Sequence, residues 1–341
     1  MLKAPSLTRR QCLTGMLAGT AGLALMGAAS PLRAAGAATV RVGVLPFGTV
    51  NWELAAMAGG GFARGAGIDL QIMEVASPTA GQIALQSNAV DVIASDWIWV
   101  ARQRSSGQDL SFVPYSSAVG SIVVPKGSAV QGIADLAGKR IGIAGGPLDK
   151  GWLLLRAQAG RAHGLDLMTA AEPVFGAPPL LSQQLEAGRL DAVLTYWHYA
   201  ARLAAKGHRE LIGVAELAGK LGLEADVPML GYVFRTAWAK ENPAAIEGFI
   251  QASRDAKALL RDKDEAWGEI EPLMKADDQA TFEALRAGFR AGIPERWTER
   301  ERKEAEKLFA ILAELGGRDL VGSATSVPEG TFWPVDWDNR A

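Results

Sequence analysis

Four tryptophans recur along the chain, Trp52, Trp97, Trp152 and Trp197, each with charged or polar side chains close by. Asp96 precedes Trp97, Asp149 and Lys150 stand just before Trp152, and Tyr196 and His198 flank Trp197. An indole face is a flat apolar surface with a negative quadrupole, which suits a planar heterocycle or an organic cation. Asp96 and Asp149 would balance a positive charge. Lys150, with the free N–H groups of helix starts after Thr79 and Gly146, would favour an anion instead. Phe47, Thr49 and Ser77 complete the candidate ligand-binding set, in loops of the same kind. His163 and His208 have no second ligand at metal spacing. There is no Gly-x-Ser-x-Gly elbow and no His/carboxylate cluster, so the expectation is a binding site with no catalytic residue, no metal and no cofactor.

Positioning these residues falls to short aliphatic runs that alternate with helical stretches, the pattern of parallel sheets with crossover helices. The strand candidates are 40–45, 70–75, 90–95, 122–124, 140–144 and 191–195. From Asn242 onward the pattern turns helical, with Pro243 near a first turn and further helices expected over 264–273, 279–291 and 298–315. The segment 175–179 reads as a shaped loop and 321–341 as an irregular strap.

An internal duplication underlies the tryptophan spacing. Residues 85–97, from Leu85 through Val90-Asp91-Val92 to Asp96-Trp97, lie over residues 185–197 at an offset of one hundred. Val42-Gly43-Val44 through Trp52 likewise matches Ile141-Gly142-Ile143 through Trp152 with one inserted residue. Two similar α/β lobes would face each other with their strand ends, where ligands of open α/β sheets bind.

Composition fits this picture. The 341 residues are 49% hydrophobic and 21% charged, enough for two cored lobes. The 35 basic against 37 acidic residues form no basic block, which excludes nucleic acid as a partner. Lys3, Arg9 and Arg10 precede an apolar, acid-free stretch from Leu13 to Ala29, followed by small residues, so residues 1–38 read as an export signal. Thr8-Arg9-Arg10-Gln11-Cys12-Leu13 resembles the twin-arginine pattern, with Cys12 where phenylalanine is usual; the general secretory route is the alternative. Removing residues 1–38 leaves 31 basic and 37 acidic residues, net −6, and takes away Cys12, the only cysteine.

On the strand and loop 42–52, Gly81-Gln82-Ile83-Ala84-Leu85 leading into Val90-Asp91-Val92, Leu136-Ala137-Gly138-Lys139-Arg140-Ile141-Gly142, residues 185–192 and the Asn242-Pro243 helix start, the chain resembles the periplasmic solute-binding proteins of ABC importers. The branch is the one serving nitrate, sulfonates, taurine and thiamine-precursor pyrimidines. The resemblance implies an α/β, two-lobed clamshell of the Venus-flytrap kind, with 39–120 and 235–341 as one lobe and 121–234 as the other. Hinge crossings are expected near 116–124 and 231–234. It also implies a monomeric periplasmic receptor that closes on a small-molecule solute and presents it to an importer permease and ATPase in the inner membrane. The ligand is left as a planar heterocycle, an organic cation or a sulfonate. Related two-lobed enzymes, thiamine-pyrimidine synthases and some tetrapyrrole deaminases, imply essential cysteines that the mature chain lacks; a non-transport ligand sensor is a third reading. For export, replacing Arg9 and Arg10 with lysine is expected to hold the precursor in the cytoplasm, read by fractionation; normal processing would instead mean the general secretory route.

Overall fold

The strand and helix alternation builds two five-stranded sheets of one design. A computed structural model describes residues 37–46 and 48–338, so the expected export segment and candidate Phe47 lie outside the described residues. The first sheet takes β1 (Ala38–Val44), β2 (Ile68–Glu74), β3 (Val92–Asp96) and β4 (Leu110–Ser116), interleaved with α1 (Val50–Gly59), α2 (Phe62–Gly65), α3 (Pro78–Gln86) and α4 (Trp97–Ser105). The second takes β5 (Gly120–Val124), β6 (Arg140–Ala144), β7 (Glu172–Gly176), β8 (Ala192–Tyr196) and β9 (Arg209–Gly213), with α5 (Lys150–His163), α6 (Leu167–Ala170), α7 (Pro178–Glu186), α8 (Trp197–Ala205) and α9 (Val214–Lys220). The chain then returns to the first sheet as β10 (Leu230–Arg235). Strand order is β2-β1-β3-β10-β4 in one sheet and β7-β6-β8-β5-β9 in the other. In each, three parallel strands are followed by an antiparallel strand that arrives from the opposite half.

The halves repeat in detail. Pro78 and Pro178 open α3 and α7, where the missing N–H costs nothing. The turn before the third parallel strand needs a left-handed residue, Asn88 (φ 64°) in one half and Gly188 (φ 68°) in the other. The Asp91 carboxylate accepts from the Arg41 backbone N–H and guanidinium, and Asp191 accepts from the Arg140 N–H at 2.8 Å, tying the starts of paired strands together.

Three differences from the sequence reading follow from local chemistry. Residues 231–234, expected as a hinge crossing, are β10 itself, and the passage lies before it, between β9 and β10. Residues 175–179, expected as a loop, are the end of β7 and the start of α7. The single helix expected over 264–273 is a short 3-10 turn at 265–267 and then α12 (Glu271–Met274), because Pro272 suits a helix start and not an interior. Beyond α10 (Thr236–Glu241) and α11 (Pro243–Asp262), α13 (Gln279–Ala291), β11 (Arg296–Trp297) and α14 (Glu299–Val321) follow, the last kinked at Gly317. The strap ends in β12 (Trp337–Asp338), paired with β11, and runs beside β4 through Thr331 and Trp333, which bond the Phe112 backbone.

Helix α1 is fixed from within by a buried polar cluster. Glu53 is wholly buried, and its carboxylate accepts from the Tyr232 hydroxyl at 2.7 Å, from Ser253 at 2.5 Å and from the Lys257 ammonium. The ammonium also lies 4.6 Å from the Tyr115 ring centroid. Burial, reinforced by the Glu53 charge, pushes the Tyr115 and Tyr232 phenols well above their ordinary range. Removing one member of a buried pair strands the other charge, so Glu53→Gln is expected to cost about 3–5 kcal/mol in denaturant unfolding, and a Glu53→Leu/Lys257→Met double variant distinctly less. Equal losses would mean that the pair is not coupled.

Candidate functional site

The C-terminal ends of β3 and β8 and the N-termini of α1 and α5 meet between the halves. Asp96 closes β3 and caps α4, its Oδ1 accepting the Trp99 N–H at 2.8 Å. Its Oδ2 reaches across to the second half and accepts from Lys150 Nζ, the first residue of α5, at 2.9 Å. The pair is partly open to solvent, with side-chain exposures of 17% and 26%. Burial works against the Lys150 ammonium, but the charge of Asp96, its hydrogen bond and the charge of Asp149 leave the lysine pKa raised. Asp149 caps α5 by accepting the Trp152 N–H at 3.0 Å, and burial, only partly opposed by that bond, raises its carboxyl pKa. The loop after β6 turns on Gly145 and Gly146, both with positive φ. A Cβ on Gly145 would sit 2.9 Å from both the Asp149 carboxylate and the Tyr196 hydroxyl, so these two groups converge over bare backbone. Tyr196 is 37% exposed there, and burial with the Asp149 charge pushes its phenol up to about 12.

A second contact joins the halves by packing. Trp197, the first residue of α8, meets Trp52 of α1 edge-on at 5.9 Å, and Trp52 continues to Trp267 and Phe289. A Cβ on Gly288 of α13 would lie 2.8 Å from the Trp197 ring, so only glycine leaves that seat open. Arg202 secures the same helix by donating to the carbonyls of Met274 (2.6 Å) and Lys275 (2.9 Å). Arg202 and Gly288 carry no signal in the sequence pattern, since α13 lies far along the chain from α8.

The remaining candidates are placed differently from expectation. Trp97 and Trp152 are wholly buried, the first against Phe309 of α14 and Phe332, the second among core residues of α5 with Phe175 at 6.5 Å. Neither presents a face to a solute, so these two indoles are not the ligand-binding surface the sequence suggests. Trp52 is almost as deeply buried. Thr49 is buried before α1; Ser77 spends its hydroxyl oxygen on the Ala80 N–H as the cap of α3; Thr79 is exposed on the first turn of that helix. His198 lies beside Trp197 and Tyr199, its Nδ1 without a hydrogen-bond partner. Among the described residues no group of His, Cys, Asp and Glu could hold a metal.

Comparison with known proteins follows this geometry. A family model described as NMT1/THI5 like matches residues 54–266. No curated protein matches the chain. Among solved structures, the periplasmic aliphatic sulphonate binding protein SsuA from Escherichia coli is similar at 18% identity and TM-score 0.68, covering 87% of this chain and 97% of that one. The alkanesulfonate-binding protein SsuA from Xanthomonas axonopodis pv. citri, bound to MOPS, is similar at 20% identity and TM-score 0.64, covering 88% and 99%. The desulfurization enzyme DSZB is also similar, at 17% identity and TM-score 0.55, covering 82% and 92%. At these identities the likenesses establish the two-lobed α/β fold.

The site also makes a pH test available. Burial, with the Arg202 charge adding to it, lowers the His198 pKa from 6.5 to about 4. The unfolded chain therefore takes up a proton between about pH 6.5 and 4 that the folded chain refuses, so stability falls as pH drops through that window and is unaffected above it. The melting temperature of the unmodified protein is expected to fall more steeply from pH 7 to pH 4 than that of His198→Asn; parallel curves would contradict this.

Proposed function

The chain belongs to the NMT1/THI5-like family, and from that premise we propose that it is an exported solute receptor. It binds a small organic anion between its two halves, a sulfonate first among candidates, and delivers it to the permease and ATPase of an ABC importer in the inner membrane. The observation that carries this reading is Lys150: an ammonium at the N-terminus of α5, facing the strand end of the opposite half, with the Gly145–Gly146 loop and Tyr196 hydroxyl beside it. A cation at a helix N-terminus, next to backbone without side chains, is a place where an oxyanion is held. The two binding proteins it resembles are described as taking sulfonates.

The heterocycle and organic-cation readings have lost support, because Trp52, Trp97 and Trp152, three of the four indoles meant to stack on such a ligand, are buried, and Trp197 packs on Trp52 and Gly288. Location in the periplasm rests on the Arg9-Arg10 export pattern, and no helix among the described residues is long and apolar enough to cross a membrane. The shared fold of the desulfurization enzyme keeps an enzymatic role in view, and the test addresses it.

The experiment is mass spectrometry of molecules released from natively purified protein, followed by thermal shift with alkanesulfonates, pyrimidines and quaternary amines. A sulfonate at a hundredfold excess over its Kd is expected to stabilise the protein by about 2.7 kcal/mol. Lys150→Met is expected to abolish most of that shift, and the sulfonate should be recovered unchanged. Stabilisation by pyrimidines or amines alone would overturn the anion reading, and recovery of a converted product would make the protein an enzyme.

A further inference from the structure

Two contacts across the gap lie close together in the duplicated frame, Asp96 with Lys150 and, one and two residues further along the matching stretches, Trp197 with Trp52. Their chemistry is opposite. On one side Trp197 is seated on Gly288 against Trp52, an apolar contact reinforced by Arg202 on two carbonyls. On the other side the halves meet through an ion pair, Asp96 with Lys150, partly open to water, beside the packing of α14 on both α4 and α5 and the Glu224 N–H donated to Glu304. Burial and shape hold the first, and salt does not weaken them; the ion pair is weakened both by salt and by any competing charge. Asp96 is also unable to withdraw, because its other oxygen caps α4. Its carboxylate is presented to Lys150 by the backbone of β3 and α4.

We propose that Asp96 is a built-in competitor for the solute. In the empty protein its carboxylate occupies Lys150 and latches the halves together on that side, while the Trp197 seat acts as the pivot. An entering anion must take Lys150 from Asp96, and the Asp96 charge, left facing that anion, works against its retention. The site therefore selects for anions that bind Lys150 better than a tethered carboxylate does, and a neutral solute leaves the latch closed. Because the latched form does not accept an anion, the observed affinity is reduced by the unlatched fraction. The competitor role rests on the anionic-solute reading above; the latch does not.

The test separates the two. Once the export segment is gone the chain has no cysteine, so spin labels at Ser87→Cys and Ala187→Cys, exposed counterpart positions in the two halves, report the gap directly. Asparagine caps helices as well as aspartate does, so Asp96→Asn removes the charge and keeps α4. In the ligand-free protein the label distances are expected to lengthen or broaden in Asp96→Asn and Lys150→Met. Raising salt to about 1 M, where screening acts within roughly 3 Å, should lengthen the unmodified protein's distances and leave those of Asp96→Asn unchanged. Distances that stay the same in both variants would overturn the latch, whatever the solute proves to be. With ethanesulfonate as probe, Asp96→Asn is expected to bind about tenfold more tightly than the unmodified protein; equal or weaker binding overturns the competitor role. If neither protein binds any sulfonate, the anion reading fails and takes the competitor role with it, while the distance measurement still decides the latch.

Discussion

Each sheet is completed by a strand that runs in from the opposite half, and the placement of the site depends on that exchange. β10 begins at Leu230, which pairs with both Asp96 and Ser116, and β5 begins at Gly120, which pairs with Tyr196. Both passages between the halves therefore emerge beside the residues that end β3 and β8. The backbone is crowded there: a Cβ on Gly120 would lie 2.0 Å from the Thr195 carbonyl, so glycine is needed for the close approach. Once two parallel βα units are tied in this way, their strand ends face one another, and the N-termini of α4, α5 and α8 meet at the gap.

The two ion pairs of lysine with a carboxylate show how burial separates structure from function. Glu53 and Lys257 lie wholly inside the first half, where both charges are satisfied by neighbours and exchange with an outside ion would be prohibitive. Asp96 and Lys150 have the same chemistry at the edge of the gap, with water reaching both. The first pair holds α1 in place. The second, under the proposed function, would be traded for a solute, because an arriving anion brings its own charge to the lysine and the released Asp96 carboxylate stays within reach of water.

Much of the framework was legible because it is written locally. Aliphatic runs marked β1, β2, β3, β5, β6 and β8, and the match of 85–97 with 185–197 marked the repeated turn, strand and helix start. β4 escaped notice because Pro114 interrupts a run that is nonetheless buried throughout, and β10 looked like a linker because Gly231 is small. The spacing of tryptophans located the helix starts correctly but not the direction of each ring. Trp97 and Trp197 are both first helical residues, yet one turns into a core closed by Phe309 and Phe332 and the other crosses to Gly288, because only the second finds a glycine on the facing helix. That information lies in α13, ninety or so residues away, and no local pattern carries it.

The central claim is that an anionic solute sits between the halves on Lys150, in the place now taken by Asp96. A crystal structure of the protein grown with ethanesulfonate tests it most directly. The account expects the sulfonate oxygens within hydrogen-bond distance of Lys150 Nζ, with the Asp96–Lys150 contact broken and the Trp197 seat intact. A sulfonate bound elsewhere, or one bound beside an unbroken Asp96–Lys150 pair, would contradict it.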